Sequence, residues 1–176
     1  VVTSNAVTPQ ANWKSTVIDP SSDGKYLTQG MFQGKQFILY SDSKYGYLKM
    51  ATYLNGKWQI KVIDGDSESG GRTNNDVSGN ISFCIGKSGS KEILNVLYAD
   101  LINKDLRMAE FDGKKWRYSI VDGDAEKVQD YKEANRVRTG SDVSVSSACS
   151  RTSAGLQVFY RDQSQGILLG ASRSEE

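Results

Sequence analysis

The most constraining feature of this chain is a motif that recurs with nearly constant spacing. It reads Tyr-x-Asp, Leu-x-x-Ala, Trp, and then Val or Ile with Asp, and its two complete copies begin at Tyr40 and Tyr98. A third copy begins at Tyr160 and extends to Ala171. Asp to Leu is six residues in every copy, and Trp to Asp is six in both complete copies. Self-similarity at a period of about 45–60 residues indicates a repeat architecture.

Each copy divides into four short strand-like runs separated by turn residues. In the second copy the predicted strands are Ile81–Ile85, Ile93–Tyr98, Asp105–Glu110 and Lys115–Val121. Asn55-Gly56 and Asp112-Gly113 favour type I′ hairpin turns, whose two central residues need positive φ. An all-β chain of repeated, four-stranded antiparallel units is typical of a β-propeller. A simple sandwich is the alternative, but it does not explain a Trp at one fixed offset in each unit.

The segment before the first copy carries the end of a further repeat, because Trp13 precedes Asp19 by the same six residues. We therefore predict a single half-propeller domain. Its three blades lie at about residues 20–64, 65–122 and 123–171, and a strand over 12–19 precedes them. Rings of this kind usually contain at least four blades. We expect either a homodimer that forms a six-bladed ring or a complex with a complementary chain.

Composition excludes several classes of function. A formal net charge of +1 argues against a nucleic-acid partner, since phosphate binding requires clustered Lys and Arg. Membrane insertion is not expected, because no apolar run reaches the roughly 20 residues that span a bilayer. Histidine is absent, which excludes Ser-His-Asp and Cys-His catalysis and His-ligated metals. Since the chain opens on Val1, we read it as a processed or cloned piece whose targeting segment, if any, is missing.

Two cysteines, Cys84 and Cys149, fall at nearly matching points of two repeats. We interpret them as small apolar residues that fill the same core position in each copy. A disulfide is the alternative, and it requires Cα atoms within about 7 Å of each other.

The run Gly46–Trp58, following Tyr40-Ser41-Asp42, resembles the blades of many secreted bacterial propellers. Ile93–Trp116 is similar to a blade of the fungal fucose-binding lectins, which are six-bladed and bind sugar between neighbouring blades. The resemblance implies a binding protein that is secreted, periplasmic or on the cell surface. The lectins hold fucose with an Arg and a Glu, and these positions are occupied here by Phe37, Asn95 and Gln157, and by Met50, Met108 and Gly170. Fucose recognition of that kind is therefore not expected.

Propeller geometry places the links between repeats and the hairpins after each Tyr-x-Asp strand on one face. The second and third links, Gly65 to Asp76 and Gly123 to Asp142, are long, and long loops on a rigid scaffold commonly carry binding residues. The candidate ligand-binding residues on the hairpins and links are Lys44, Tyr45, Arg72, Asn103, Tyr131, Arg136, Arg138 and Gln163. Tyr131 is suited to stack on the apolar face of a sugar ring.

Both long links begin with closely spaced carboxylates around a glycine. These are Asp66 and Glu68 in the second link, and Asp124 and Glu126 in the third. Carboxylate oxygens are ligands that Ca²⁺ prefers, so calcium is the one cofactor that the pattern suggests. A plain solvated turn is the alternative, since the spacing is not that of an EF-hand loop.

These observations favour a non-catalytic, lectin-like module that binds carbohydrate or acts in adhesion, with a glycan or a surface protein as its partner. A protein-interaction scaffold within a larger propeller assembly is the alternative. A glycosidase-like hydrolase is a third candidate, because such enzymes need two carboxyl groups roughly 5–10 Å apart. The link carboxylates are the only obvious candidates, and as solvated groups they give no reason to expect the raised pKa that a general acid needs. No catalytic residue is therefore predicted.

Overall fold

Strands form in this chain where apolar and polar residues alternate, and they end at turns rich in glycine, asparagine and aspartate. The structure is a computed structural model that describes residues 12–123, 142–144 and 146–174. Those residues contain eleven strands and no helix, and all strand pairs are antiparallel. The predicted all-β class is confirmed.

Three sheets follow one another along the chain. Sheet 1 consists of β1 (Lys25–Phe32), β2 (Lys35–Asp42), β3 (Tyr47–Leu54) and β4 (Lys57–Asp64). Sheet 2 consists of β5 (Ile81–Ser88), β6 (Lys91–Asp100), β7 (Asp105–Phe111) and β8 (Trp116–Asp122). Sheet 3 consists of β9 (Ser147–Thr152), β10 (Gly155–Asp162) and β11 (Ile167–Arg173). The four strands predicted in the second copy are all present, with small shifts at their ends.

The two predicted hairpin dipeptides behave differently. Asn55 and Gly56 both have positive φ, at 51° and 78°, as a type I′ turn requires. A hairpin turn is present at Asp112-Gly113 as predicted, but it is not of type I′, because it spans the four residues between Phe111 and Trp116 and only Gly113 of the dipeptide has positive φ. The Asp112 carboxylate organises this longer turn by accepting the backbone N–H groups of Lys114 and Lys115.

The sheets pack face to face in chain order, with an apolar core between each pair. Leu39 and Leu48 of sheet 1 lie in the first core together with Val96 of sheet 2. The next residue along β6, Leu97, points to the opposite face and lies in the second core with Val158 of sheet 3. Sheet 2 is therefore covered on both faces, which explains why β6 is apolar on both sides. Full burial of such a side chain contributes about 1.5–3 kcal/mol.

A disulfide joins sheets 2 and 3 along their first strands. Cys84 of β5 is bonded to Cys149 of β9, with the Cα atoms 5.6 Å apart. The interpretation of these cysteines as unlinked core residues is therefore wrong. Cys84 and Cys149 become neighbours because the first strands of sheets 2 and 3 lie side by side.

The strand predicted over residues 12–19 is not formed, since residues 12–24 contain no strand. A strand exists only when its backbone groups pair with a neighbour, and this segment pairs with none of the described strands. Sheet 3 correspondingly has three strands, and β11 is at its edge. The sheets lie within or overlap the predicted units 20–64, 65–122 and 123–171.

Replacing Cys84 and Cys149 together with Ala is expected to lower the free energy of unfolding by about 2–4 kcal/mol, because the crosslink closes a long loop in the unfolded chain. Urea denaturation of the oxidised protein and the variant measures the difference. The control adds reductant to each, which should destabilise the wild-type protein and leave the variant unchanged. Equal stability of the two proteins without reductant would contradict the disulfide.

Candidate functional site

The links between sheets and the hairpins of the sheets meet at one end of the molecule. The hairpins are residues 43–46, 101–104 and 163–166, and we call the surface formed by them and by the described parts of the links the hairpin end. Backbone hydrogen bonds connect Val77 to Gly46 and Leu101 to Asp76, both at 2.9 Å. The third link continues the chain of contacts, because Gln163 N–H donates to the Asp142 carbonyl at 2.8 Å. The hairpins are thus held in fixed positions relative to the links.

Four of the predicted ligand-binding residues lie exposed at this end: Lys44, Tyr45, Asn103 and Gln163. The Tyr45 ring is stacked on Tyr47 with centroids 5.7 Å apart, and the Lys44 ammonium lies 5.0 Å from its centroid. Half of Tyr45 is exposed. The amide of Asn103 donates to the Asp100 carboxylate at 3.4 Å. The hairpin end therefore offers an aromatic edge, an ammonium group and side-chain amides to a ligand.

The second link arranges its charged residues as an ion pair. Arg72 binds the carboxylate of Asp66. Arg72 was predicted to contact a ligand and Asp66 to bind calcium, and either role would require this ion pair to break. Glu68 is exposed. In the ranges that the structure describes, no group of three or more His, Cys, Asp or Glu residues is placed to hold a metal ion. The structure thus gives no support for calcium at Asp66 and Glu68.

The remaining predicted residues lie in the part of the third link outside the described residues. These are Asp124, Glu126, Tyr131, Arg136 and Arg138. The predictions made for them stay predictions.

The structure reveals a buried polar contact between successive sheets that the sequence did not predict. Tyr98 of sheet 2 donates its hydroxyl to Asp64 at the end of sheet 1, at 2.5 Å. Arg107, paired with Tyr98 across β6 and β7, lies 3.4 Å from the same carboxylate. Burial, and then the charge of Asp64, raises the pKa of Tyr98 well above its ordinary value. The tyrosine is therefore a permanent hydrogen-bond donor.

The same contact occurs at the other two positions of the repeat. Tyr160 of sheet 3 donates to Asp122 of sheet 2 at 2.7 Å, and Tyr40 of sheet 1 donates to Asp19 at 2.8 Å. Lys49 takes the place of Arg107 and lies 3.2 Å from Asp19. The Tyr and the final Asp of the motif were visible in the sequence. The missing information was that each Tyr pairs with the Asp of the preceding unit.

A second polar cluster, buried at Asn95 and Arg151, joins sheets 2 and 3. Arg151 donates to Asn95 at 3.0 Å and to Glu110 at 2.7 Å, and Arg173 donates to Glu110 at 3.0 Å. Gly86 lies under Arg151, where a Cβ atom would come within 2.6 Å of the Arg151 carbonyl oxygen. These charges are used in packing between sheets. Asn95 is one of the residues that the predicted resemblance aligns with the sugar-binding Arg of the fungal lectins, and its side-chain oxygen accepts a hydrogen bond from Arg151.

Comparison of the chain with protein-family models, curated proteins and solved structures gives no match. The resemblance to bacterial propellers and fungal lectins therefore stays a prediction. Among the described residues, no helix is long and apolar enough to cross a membrane.

Asp19 is expected to make stability depend on pH. Burial opposes its ionisation, but hydrogen bonds from Ser21, Tyr40 and Lys49 outweigh burial and lower its pKa from 3.8 to about 2. A lowered folded-state pKa stabilises the fold above about pH 4, and this contribution is lost as the pH falls towards 2. Asp19→Asn should therefore cost about 1–2 kcal/mol at pH 6 and much less at pH 2.

Urea denaturation between pH 2 and pH 6 measures this difference, with Glu68→Gln as the control at an exposed carboxylate. A cost that does not change with pH would show that the ionised form of Asp19 has no special role.

Proposed function

We propose that the three sheets are blades of a β-propeller whose ring extends beyond this chain. The regular packing supports this arrangement, because each sheet contacts the next through equivalent residues. The first strands also lie side by side in order, with β5 against both β1 and β9. In a propeller the first strands of the blades line the central axis. The exposure of Leu168 supports a ring that continues, since the equivalent Leu48 and Leu106 are buried under the next sheet.

The proposed function is that of a non-catalytic, lectin-like binding module whose ligand contacts the hairpin end. The observation that carries this proposal is the group of exposed side chains on three hairpins fixed at one end by backbone hydrogen bonds. Rigid positioning lowers the entropic cost of binding. Amides, an ammonium group and a phenol are hydrogen-bond partners for sugar hydroxyls, and the edge of Tyr45 offers apolar contact.

An extracellular, periplasmic or cell-surface location belongs to the same proposal. The disulfide between Cys84 and Cys149 supports it, because such bonds persist in oxidising compartments and are rare in the cytosol.

A protein-interaction scaffold is the second candidate. Leu101 and Ile102 favour it, since both are large aliphatic side chains exposed on the second hairpin. Exposed aliphatic residues are typical of protein contacts more than of sugar contacts.

Binding of the intact assembly to an array of immobilised glycans tests the proposed function. Tyr45→Ala is expected to weaken binding roughly tenfold, which corresponds to about 1.4 kcal/mol. Lys44→Ala should also weaken it, whereas Lys57→Ala, an equivalent change of an exposed lysine at the opposite end of sheet 1, should not. Silence across broad glycan classes from an assembly of verified mass would contradict a glycan ligand. A protein partner whose binding is abolished by Ile102→Asp would then support the scaffold.

A further inference from the structure

We propose that a second copy of this chain continues the ring. In this arrangement, sheet 1 of one copy packs on the exposed face of sheet 3 of the other. Residues 12–19 of the first copy then add to β11 of the second as its fourth strand. This proposal rests on the propeller arrangement proposed above, and the partner that completes the ring is a second copy of the chain.

The first observation is a face of sheet 3 that carries exposed apolar residues and has no covering sheet in the described structure. Leu48 and Leu106 face the next sheet and are 0% and 1% exposed, whereas the equivalent Leu168 is 78% exposed. Leu39 and Leu97 are fully buried, whereas the equivalent Phe159 is 44% exposed. Phe159 and Leu168 form what we call the open face of sheet 3. The repeat keeps these two positions apolar in all three sheets. In sheets 1 and 2 the next sheet covers them, which indicates that a further sheet covers Phe159 and Leu168.

The second observation is the matching face of sheet 1. Phe111 and Tyr118 are among the residues of sheet 2 that pack against the core shared with sheet 1. Their equivalents in sheet 1 are Tyr53 and Ile60, and both are exposed. Tyr53 and Ile60 form the open face of sheet 1. In both contacts within the chain, the face of one sheet equivalent to that of Leu48 packs on the face of the next sheet equivalent to that of Phe111. The open face of sheet 3 is of the first kind and the open face of sheet 1 is of the second kind, so the same contact can join them.

The third observation concerns the segment before sheet 1. Asp19 is bound to Tyr40 at 2.8 Å in the same way that Asp64 is bound to Tyr98. Asp64 ends the last strand of the sheet that precedes Tyr98, so residues 12–19 stand where the last strand of a sheet preceding sheet 1 would end. Trp13 is 91% exposed, whereas the equivalent Trp58 and Trp116 are partly buried. The segment therefore has the Trp-to-Asp spacing of a last strand and the hydrogen bond from its final Asp to the Tyr of the next sheet. It has no strand beside it with which to pair.

The repeat also predicts the register of the added strand. Ala51 is paired with Ile60 in sheet 1, and Ala109 with Tyr118 in sheet 2. The equivalent pair in the proposed assembly is Ala171 of β11 with Ser15 of the other copy. Lys14 would lie one position away, with its side chain on the opposite face of the sheet.

The assembly has two interfaces between the copies. They are identical, because at each one sheet 1 and residues 12–19 of one copy contact sheet 3 of the other. Head-to-tail contacts of this kind form a ring if the rotation closes. Two copies contain six sheets of this kind, since the described residues of each chain form three. The proposed assembly is therefore a two-fold symmetric ring.

Solution mass tests the assembly. The wild-type protein is expected at about twice the chain mass of 19.4 kDa. Leu168→Asp places a charge on the open face of sheet 3 and should halve the mass while the circular dichroism of the sheets is retained, because Leu168 is not buried within one chain. Ile102→Asp is the matched control at an exposed hairpin residue and should stay dimeric. A wild-type protein that is well folded at the mass of one chain would overturn the proposal.

A crosslinking experiment tests the register. Chains carrying Ser15→Cys are mixed with chains carrying Ala171→Cys, and a disulfide between the two kinds of chain is expected after oxidation. The pair Lys14→Cys and Ala171→Cys is the mismatched control and should lose the crosslink. A double variant, Ser15→Cys with Ala171→Cys, that crosslinks only within one chain would overturn exchange between copies. The glycan array is independent of both results, so silence on the array with an intact dimer contradicts the proposed function alone.

Discussion

The structure depends on the packing of each sheet against the next through one apolar face and one buried hydrogen bond. Leu48 and Leu106 provide the apolar contact at equivalent positions, and Tyr98 binds Asp64 beside it. An unpaired buried carboxylate would be costly, so the tyrosine hydroxyl and the neighbouring cation allow the aspartate to lie there. The same pair sets the position of one sheet relative to its neighbour, because the hydrogen bond tolerates little displacement.

This way of packing has a consequence at both ends of the chain. Any stack of equivalent sheets leaves one face of its first member and one face of its last member uncovered, unless a neighbour covers them. Leu168 and Phe159 on sheet 3, and Tyr53 and Ile60 on sheet 1, are the apolar residues that become exposed for this reason. Since exposed apolar surface of this kind marks interaction sites, the assembly that we propose uses the same kind of contact as folding. The hairpin end is formed by loops at the ends of the strands, whereas these apolar residues lie on the strands themselves.

Particular residues show how far sequence analysis could go. The strands around Tyr40, Tyr98 and Tyr160 were predictable, because alternation and turn dipeptides are local properties of the chain. The placement of Lys44, Tyr45, Asn103 and Gln163 on hairpins was predictable for the same reason. The bond between Cys84 and Cys149 was not, since it depends on which strands lie next to each other. Arg72 was predicted to meet a ligand, and the folding of its own link brings it to Asp66.

The amino-acid sequence by itself determined the unit of this protein: a short antiparallel sheet, repeated at constant spacing, with a tyrosine and an aspartate at fixed places. Those properties follow from local hydrophobic patterning and turn chemistry, which act over a few residues. Only the tertiary structure decided that each tyrosine binds the aspartate of the preceding unit, that the cysteines pair, and that residues 12–19 stay unpaired beside sheet 1. These outcomes depend on contacts between residues far apart in the chain, and a strand forms only when a neighbour satisfies its backbone groups.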